Sequence, residues 1–278
     1  MKLKIAHGKE LDFSDGPLVM GILNVTPDSF SDGGVNVASP VEAACAMVEA
    51  GASIIDIGGE STRPGYTPVP LQEELARVLP ALRGIRQALP EIAISIDTMK
   101  AGVAEAALAE GADIINDVTA FEHDPDAMCR LMAENRAGCI LMHSVPLASK
   151  RACTDEVVAY LRRRVEWVCH QTGLDEGFFA VDAGIGFGKS VEQNLELAVA
   201  NEVLHSIGRP VLLGISRKSV LGAVTGRLVS ERGAATVAAV AVAAFTGADI
   251  LRVHDVKSAV DAVKVAKALW SAASGIKG

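Results

Sequence analysis

Gly51-Ala52-Ser53-Ile54-Ile55, Gly111-Ala112-Asp113-Ile114-Ile115 and Gly247-Ala248-Asp249-Ile250-Leu251 are three near copies of one phrase. Each follows an Ala-rich stretch of helical periodicity and opens a short apolar run. This is the pattern of a helix stopped by a glycine and handed directly to a buried strand. Recurrence of the join means repeated strand and helix units.

Strands are expected at Leu18 to Leu23, Ile54 to Ile57, Ile92 to Ile96, Ile114 to Ile115, Cys139 to Met142, Phe178 to Val181, Val211 to Ile215 and Ile250 to Val253. Between and after them run helical patterns near Pro40 to Ala50, Leu71 to Ala88, Lys100 to Ala109, Pro125 to Asn135, Thr154 to Gln171, Val191 to Ser206, Ser230 to Phe245 and Lys257 to Trp270. Strands that are apolar on both faces and separated by helices favour a parallel sheet. Eight such units within 278 residues favour closure into an α/β fold, the (β/α)8 TIM barrel, although a doubly wound open sheet has the same periodicity. Leu3 to Phe13 is expected to form a short N-terminal β-hairpin over the bottom of the barrel, the whole of 1–278 making a single domain.

Half of the residues are hydrophobic and the net charge is -8, with two Trp and two Tyr to offer as stacking platforms. Nucleic acid is therefore not an expected partner. The five cysteines, with no CxxC spacing, read as reduced thiols of a cytoplasmic protein. Met1 to Glu10 lacks the apolar core of a signal peptide, and the apolar run Ala234 to Phe245 stops well short of a membrane span, so no membrane partner is expected.

Nearly every expected strand ends in a polar cluster: Asn24, Gly58 to Arg63, Asp97-Thr98, Asn116-Asp117, His143-Ser144, Asp182, Ser216 to Ser219 and His254-Asp255. In a barrel these C-terminal tips face one cavity, where chemistry concentrates. Asp97, Asn116 and Asp182 offer carboxylate, amide and carboxylate, a set suited to a heterocycle with an amino-amide edge. Each could instead cap a helix or brace a loop. Metal binding by the three is less attractive, since Asn is a weak ligand and no His-rich set accompanies them. Arg63 stands in Gly58 to Gly65, where glycines and Pro64 shape a tight turn, and a surface loop is the plain alternative. Ser216-Arg217-Lys218 and Arg252-x-His254 place cations where barrels often bind phosphate, and the i, i+2 spacing puts Arg252 and His254 on one face. The alternating glycines from Gly184 to Gly188 leave exposed backbone N–H groups, but their spacing matches neither a P-loop nor a dinucleotide fingerprint.

Taken in order, Asn24-Val25-Thr26-Pro27-Asp28-Ser29-Phe30-Ser31-Asp32-Gly33-Gly34, Gly58 to Gly65, Ser95-Ile96-Asp97-Thr98, Ile115-Asn116-Asp117-Val118, Asp182 to Lys189, Ser216-Arg217-Lys218-Ser219 and Arg252-Val253-His254-Asp255-Val256 resemble the motifs of the dihydropteroate synthase family. The resemblance spans nearly the whole chain. It implies a transferase of folate biosynthesis that joins 6-hydroxymethyl-7,8-dihydropterin diphosphate to p-aminobenzoate. It further implies that Asp97, Asn116, Asp182 and Lys218 hold the pterin, and that Asn24, Arg252 and His254 organise the diphosphate with Mg2+, Asn24 being the metal ligand. Thr62, Arg63, Pro64, Phe187 and Ser219 are implied in the aminobenzoate site, and a homodimer is implied as the assembly. Catalysis would rest on Asn24, Arg252, His254, Lys218 and Asp97. Three places depart from the family pattern: Ala183 where Pro is common, Gln193 where the next helix usually begins His-Asn, and Ser-Val-Pro-Leu-Ala-Ser-Lys after His143. A pterin-binding methyltransferase on the same barrel, or a barrel serving only as an interaction subunit, are the competing readings.

Overall fold

The computed structural model describes residues 1–26, 39–60, 68–148 and 153–276. In chain order its strands are β1 (Lys2–Lys4), β2 (Glu10–Asp12), β3 (Leu18–Asn24), β4 (Ile54–Gly58), β5 (Ala93–Asp97), β6 (Ile114–Asp117), β7 (Gly138–Met142), β8 (Phe179–Asp182), β9 (Val211–Leu213) and β10 (Ile250–Val253). Its helices are α1 (Pro40–Glu49), α2 (Leu71–Ala88), α3 (Ala101–Ala109), α4 (Pro125–Asn135), α5 (Thr154–Thr172), α6 (Val191–Val199), α7 (Asn201–Leu204), α8 (Ser219–Thr225), α9 (Gly233–Phe245) and α10 (Val256–Ile276).

The recurring phrase has one physical meaning in all three places. Gly51, Gly111 and Gly247 take φ of 104°, 97° and 98°, a left-handed conformation that is strained for any residue with a Cβ. The alanine that follows donates its N–H back into the helix it leaves: Ala52 to Met47 O, Ala112 to Ala107 O and Ala248 to Ala243 O, each at 2.9 Å. These bonds satisfy carbonyls that a helix end would otherwise leave open. The third residue then donates to the preceding strand, Ser53 to Val19 O, Asp113 to Ile94 O and Asp249 to Val211 O. Helix stop, chain reversal and strand pairing are thus encoded in three consecutive residues.

The strands β3 to β10 close into a barrel in chain order, with β10 returning to pair with β3. All eight pairings are parallel, for example Ile22↔Asp56 and Asp97↔Asn116. Alternate residues of a strand face the same side. One set, Met20, Ile54, Ala93, Ile114, Ile140, Ala180, Leu212 and Ile250, packs with Leu3, Ile5 and Phe13 into an apolar plug at the bottom. The last three belong to the N-terminal hairpin, whose strands β1 and β2 pair antiparallel with Leu3 opposite Leu11. Outward residues, among them Ile55, Ile57, Ile94, Ile96, Leu141 and Val181, pack against the helices in a second, larger cluster.

Three elements differ from the sequence expectation. The strand from Val211 ends at Leu213, because the chain turns so that Lys218 N–H donates to Ile215 O. The helix expected over Val191 to Ser206 divides at Ala200. There Asn201, fully buried, donates its amide to Ala198 O and Thr246 Oγ1, competing with the helical ladder. Helix α8 is absent from the sequence reading, since seven residues are too few to display a period.

Candidate active site

The period of two that builds the plug also builds the site above it. Two residues beyond each plug position stand Ile22, Asp56, Ser95, Asn116, Met142, Asp182, Gly214 and Arg252. Two further along the same series come Asn24, Gly58 and Asp97 at their strand ends, with Ser216 and His254 just past theirs. The interior therefore changes from wholly apolar to mostly polar within one step of the pleat. Polar side chains are tolerated there because the end of the barrel is open, and because Asp56, Asn116 and Arg252 find one another, whereas Ser95 Oγ is buried without a partner.

Arg252 is the hub. Its Nε donates to Asp56 Oδ2 at 2.6 Å and its Nη2 to Asp97 Oδ2 at 2.5 Å. Asn116 Nδ2 stands 3.3 and 3.5 Å from the two oxygens of Asp56. Asp97 Oδ1 is buried without a hydrogen-bond partner. Burial lifts the Asp97 carboxyl to about 7, with Arg252 opposing and the charge of Asp56 adding to the rise. Burial alone would ease the proton from Arg252, but Asp56 and Asp97 more than reverse that and hold it firmly cationic.

The second half of the site is carried by β8, the glycine turn after it and the residues before α8. Asp182 is buried, and its Oδ1 accepts the Gly184 N–H at 2.7 Å. The carboxylate thus braces the turn with one oxygen. Burial raises its pKa while Lys218 pulls the other way. Lys218 donates Nζ to Ile185 O and lies 4.7 Å from the centre of the Phe187 ring, a cation–π contact. Burial lowers its ammonium to about 8, against the attraction of Asp182. Gly184 cannot be replaced without moving the backbone, because a Cβ there would stand 1.9 Å from His143 O. Lys189 fastens the turn by donating to His143 O, Gly184 O and Phe187 O at 2.9 to 3.1 Å. Asn194 Oδ1 accepts the Gly186 N–H at 2.6 Å.

Asn24, Asp97, Asn116, Asp182, Lys218, Arg252 and His254 all lie at the open end of the barrel. Gly58 sits between Asn24 and Asp97: a Cβ there would be 3.6 Å from Asn24 Oδ1 and from Asp97 Cβ. His254 Nδ1 is 2.9 Å from Ser216 Oγ, which orients the imidazole. Phe187 flanks Lys218, and Ser219 is the exposed first residue of α8. Thr62, Arg63 and Pro64, like Pro27 to Gly34 of the first motif, lie outside the described residues. The chain leading to them is anchored: Lys100 Nζ binds Glu60 and Glu74, and Arg77 Nη1 donates to Gly59 O. Among the described residues no group of three or more His, Cys, Asp or Glu could hold a metal ion. Gln193 forms a capping box with Ser190 at the start of α6. His143, ahead of the altered loop, is buried edge-on to Tyr160, and burial lowers its imidazole to about 4, so it carries no charge near neutrality.

Sequence reasoning missed Asp56. The signal is present, a single carboxylate inside the run Ile54-Ile55-Asp56-Ile57, but it falls within a strand and not at its tip.

With this geometry in place, comparison with known proteins is specific. A family model described as pterin binding enzyme matches residues 20–254. The dihydropteroate synthase of Escherichia coli K12 is 42% identical over 280 residues, 98% of either chain. A probable bifunctional folylpolyglutamate synthase/dihydropteroate synthase of Haloferax volcanii is 46% identical over 264 residues, covering 92% of this chain and 31% of that longer protein. Among solved structures, the Xanthomonas albilineans dihydropteroate synthase with 4-aminobenzoic acid superposes with a TM-score of 0.87 at 41% identity, over 96% of this chain and 97% of that one. The same enzyme in complex with 7,8-dihydropteroate gives 0.85 at 40%, over 97% and 98%.

Proposed function

Because the chain belongs to the pterin-binding enzyme family, and within it to the dihydropteroate synthases, we propose that it condenses 6-hydroxymethyl-7,8-dihydropterin diphosphate with p-aminobenzoate to give 7,8-dihydropteroate and diphosphate. The observation that supports this beyond family membership is the convergence of Asp97, Asn116, Asp182, Lys218, Arg252 and His254 at one end of the barrel, Lys218 delivered by the turn before α8 and the others by their places in the strand period.

In this reading a pterin lies flat above the polar step of the interior. Its 2-amino group and ring N–H meet the Asp182 carboxylate, while Asp97, Asn116 and Lys218 take the remaining ring edges. Asp97 Oδ1, buried without a partner, is an acceptor ready for such a donor. The amine nitrogen of p-aminobenzoate attacks the exocyclic methylene carbon, a C–N bond forms as the C–O bond to diphosphate breaks, and the amine gives up a proton. An aryl amine is neutral and nucleophilic near pH 7, so no strong base is required at the start. Positive charge growing on the methylene carbon is tolerated by the acidic interior. Negative charge on the leaving group is met by Arg252 and His254, which act by electrostatics and positioning.

The donor chemistry at the open end also fits Mg2+ held together with the diphosphate. Asn24 would supply one oxygen, and a hard cation that keeps waters and substrate oxygens needs little more from the protein. When bound, Mg2+ would neutralise leaving-group charge. Thr62, Arg63 and Pro64, with Phe187 and Ser219, are assigned to the aminobenzoate. A cytoplasmic homodimer completes the proposal; the five free thiols fit a reducing compartment. No helix among the described residues is long and apolar enough to cross a membrane.

The test is release of diphosphate dependent on p-aminobenzoate, with and without exhaustive chelation. Release that ignores p-aminobenzoate would sink the reaction, and full activity after chelation would remove Mg2+ from it.

A further inference from the structure

We infer that Asp56 is a positioning residue that holds two substrate-facing groups in register, the Arg252 guanidinium and the Asn116 amide. The inference rests on the pterin and diphosphate roles proposed above. Asp56 is fully buried in the middle of β4, in the same layer of the interior as Asn116 and Arg252, and both of its oxygens are turned to those two side chains. Its Oδ2 accepts from Arg252 Nε at 2.6 Å, and the Asn116 Nδ2 lies within 3.3 Å of the same oxygen. The partners come from β10 and β6, which flank β4 on either side without pairing with it, the first across β3 and the second across β5. Backbone pairing therefore cannot set how their side chains meet.

An arginine has several rotatable bonds, and Arg252 has a competing acceptor in Asp97. Anchoring Nε, next to the stem, leaves the terminal nitrogens at the far end to exchange one partner for another. The second oxygen of Asp56 stands 3.5 Å from the Asn116 amide, so the same carboxylate biases which face that amide turns to the cavity. An isoleucine-like packing residue at this place would fill the space, but it would leave both groups free to rotate.

The probes are 6-hydroxymethylpterin and inorganic diphosphate with Mg2+, titrated calorimetrically into the full chain. Asp56→Asn should weaken both by about tenfold, the loss of one charge-assisted hydrogen bond on each side. Asn116→Ala should weaken the pterin alone and Arg252→Met chiefly the diphosphate. In the double variant Asp56→Asn/Arg252→Met, diphosphate affinity should equal that of Arg252→Met, because Asp56 acts through the arginine. Asp56→Glu keeps the charge and moves it, so positioning requires weakened binding, whereas simple charge neutralisation keeps it normal. That variant carries the test alone if Asp56→Asn fails to fold. Normal affinity for both probes in Asp56→Glu, or independent losses in the double variant, overturns the inference. A wild-type chain that binds neither probe overturns the proposed function with it.

Discussion

The two ends of the barrel use the same pairing of carboxylate with cation for opposite purposes. At the closed end, Asp113 Oδ2 accepts the Ile94 N–H at 2.9 Å and Arg86 Nη2 at 2.6 Å. Asp249 Oδ2 accepts the Val211 N–H at 2.8 Å and faces His205 Nε2 at 2.6 Å. Both aspartates occupy the third place of the recurring phrase, and both tie themselves to the backbone of the preceding strand. Arg86 adds bonds to the Gly111, Pro90 and Ile92 carbonyls. At the open end, Asp56, Asp97 and Arg252 bind one another's side chains. A buried oxygen is left without a partner at each end, Asp113 Oδ1 and Asp97 Oδ1. The difference lies in what holds the other oxygen: at Asp113 a backbone amide that cannot move, beside the guanidinium of Arg86, and at Asp97 a guanidinium alone. Backbone partners make a staple; side-chain partners make a site that a ligand can enter by exchange.

If that division is right, the largest effect on stability comes from the closed end. Arg86→Met should cost about 3–5 kcal/mol of unfolding free energy, because it strands the Asp113 charge in the interior. Turnover per folded molecule should stay at the wild-type value, and urea unfolding paired with active-site titration checks both; a fall in turnover would break the division.

The mirror experiment is Arg252→Ala or His254→Ala. Each should remove about 2–4 kcal/mol of transition-state stabilisation while the fold survives. Undamaged turnover in both variants would take the diphosphate clamp out of the mechanism.

Asp182 sits on the border, since one oxygen serves the backbone of Gly184 and its carboxylate also faces Lys218. Asp182→Asn should weaken 6-hydroxymethylpterin binding by about 100-fold, as one acceptor becomes an NH2 facing a donor. A variant with a lowered melting temperature but pterin affinity within about twofold of wild type would place Asp182 wholly with the staples.

The smallest effect is at His205. Its pKa is raised by the hydrogen bond to Asp249, so its imidazolium stabilises the folded chain fully below the unfolded value, and that contribution is lost as pH rises through the folded one. His205→Gln should therefore cost about 1 kcal/mol in mildly acidic buffer and less in alkaline buffer. A cost independent of pH would show that the pair is not an ion pair.

Much of the fold and of the site is legible in the residues alone. The glycine-alanine phrase marks three of the helix-to-strand joins, and the order of the polar strand tips locates the open end. The family resemblance then assigns Asp97, Asn116, Asp182, Lys218, Arg252 and His254 their roles. Asp56 escapes because attention to strand tips ignores a carboxylate in mid-strand, and Lys189 and Asn194 because nothing in a glycine-rich turn says which side chain will fasten it. Helix α8 escapes through its shortness, and the break at Ala200 because the partner of Asn201, Thr246, is remote in sequence.

By itself the sequence determined much of what is local: where three helices stop at a glycine, which strand positions alternate inward, and which residue types reach the top of the interior. These follow from backbone conformation and the period of two, which act over a few residues. Only the tertiary structure decided that Asp56 answers to Arg252, 196 positions away, and that Asp113 and Asp249 serve the backbone while Asp97 does not. Such choices depend on closure of the barrel, which brings β10 beside β3 and sets each buried charge among partners that no local pattern encodes.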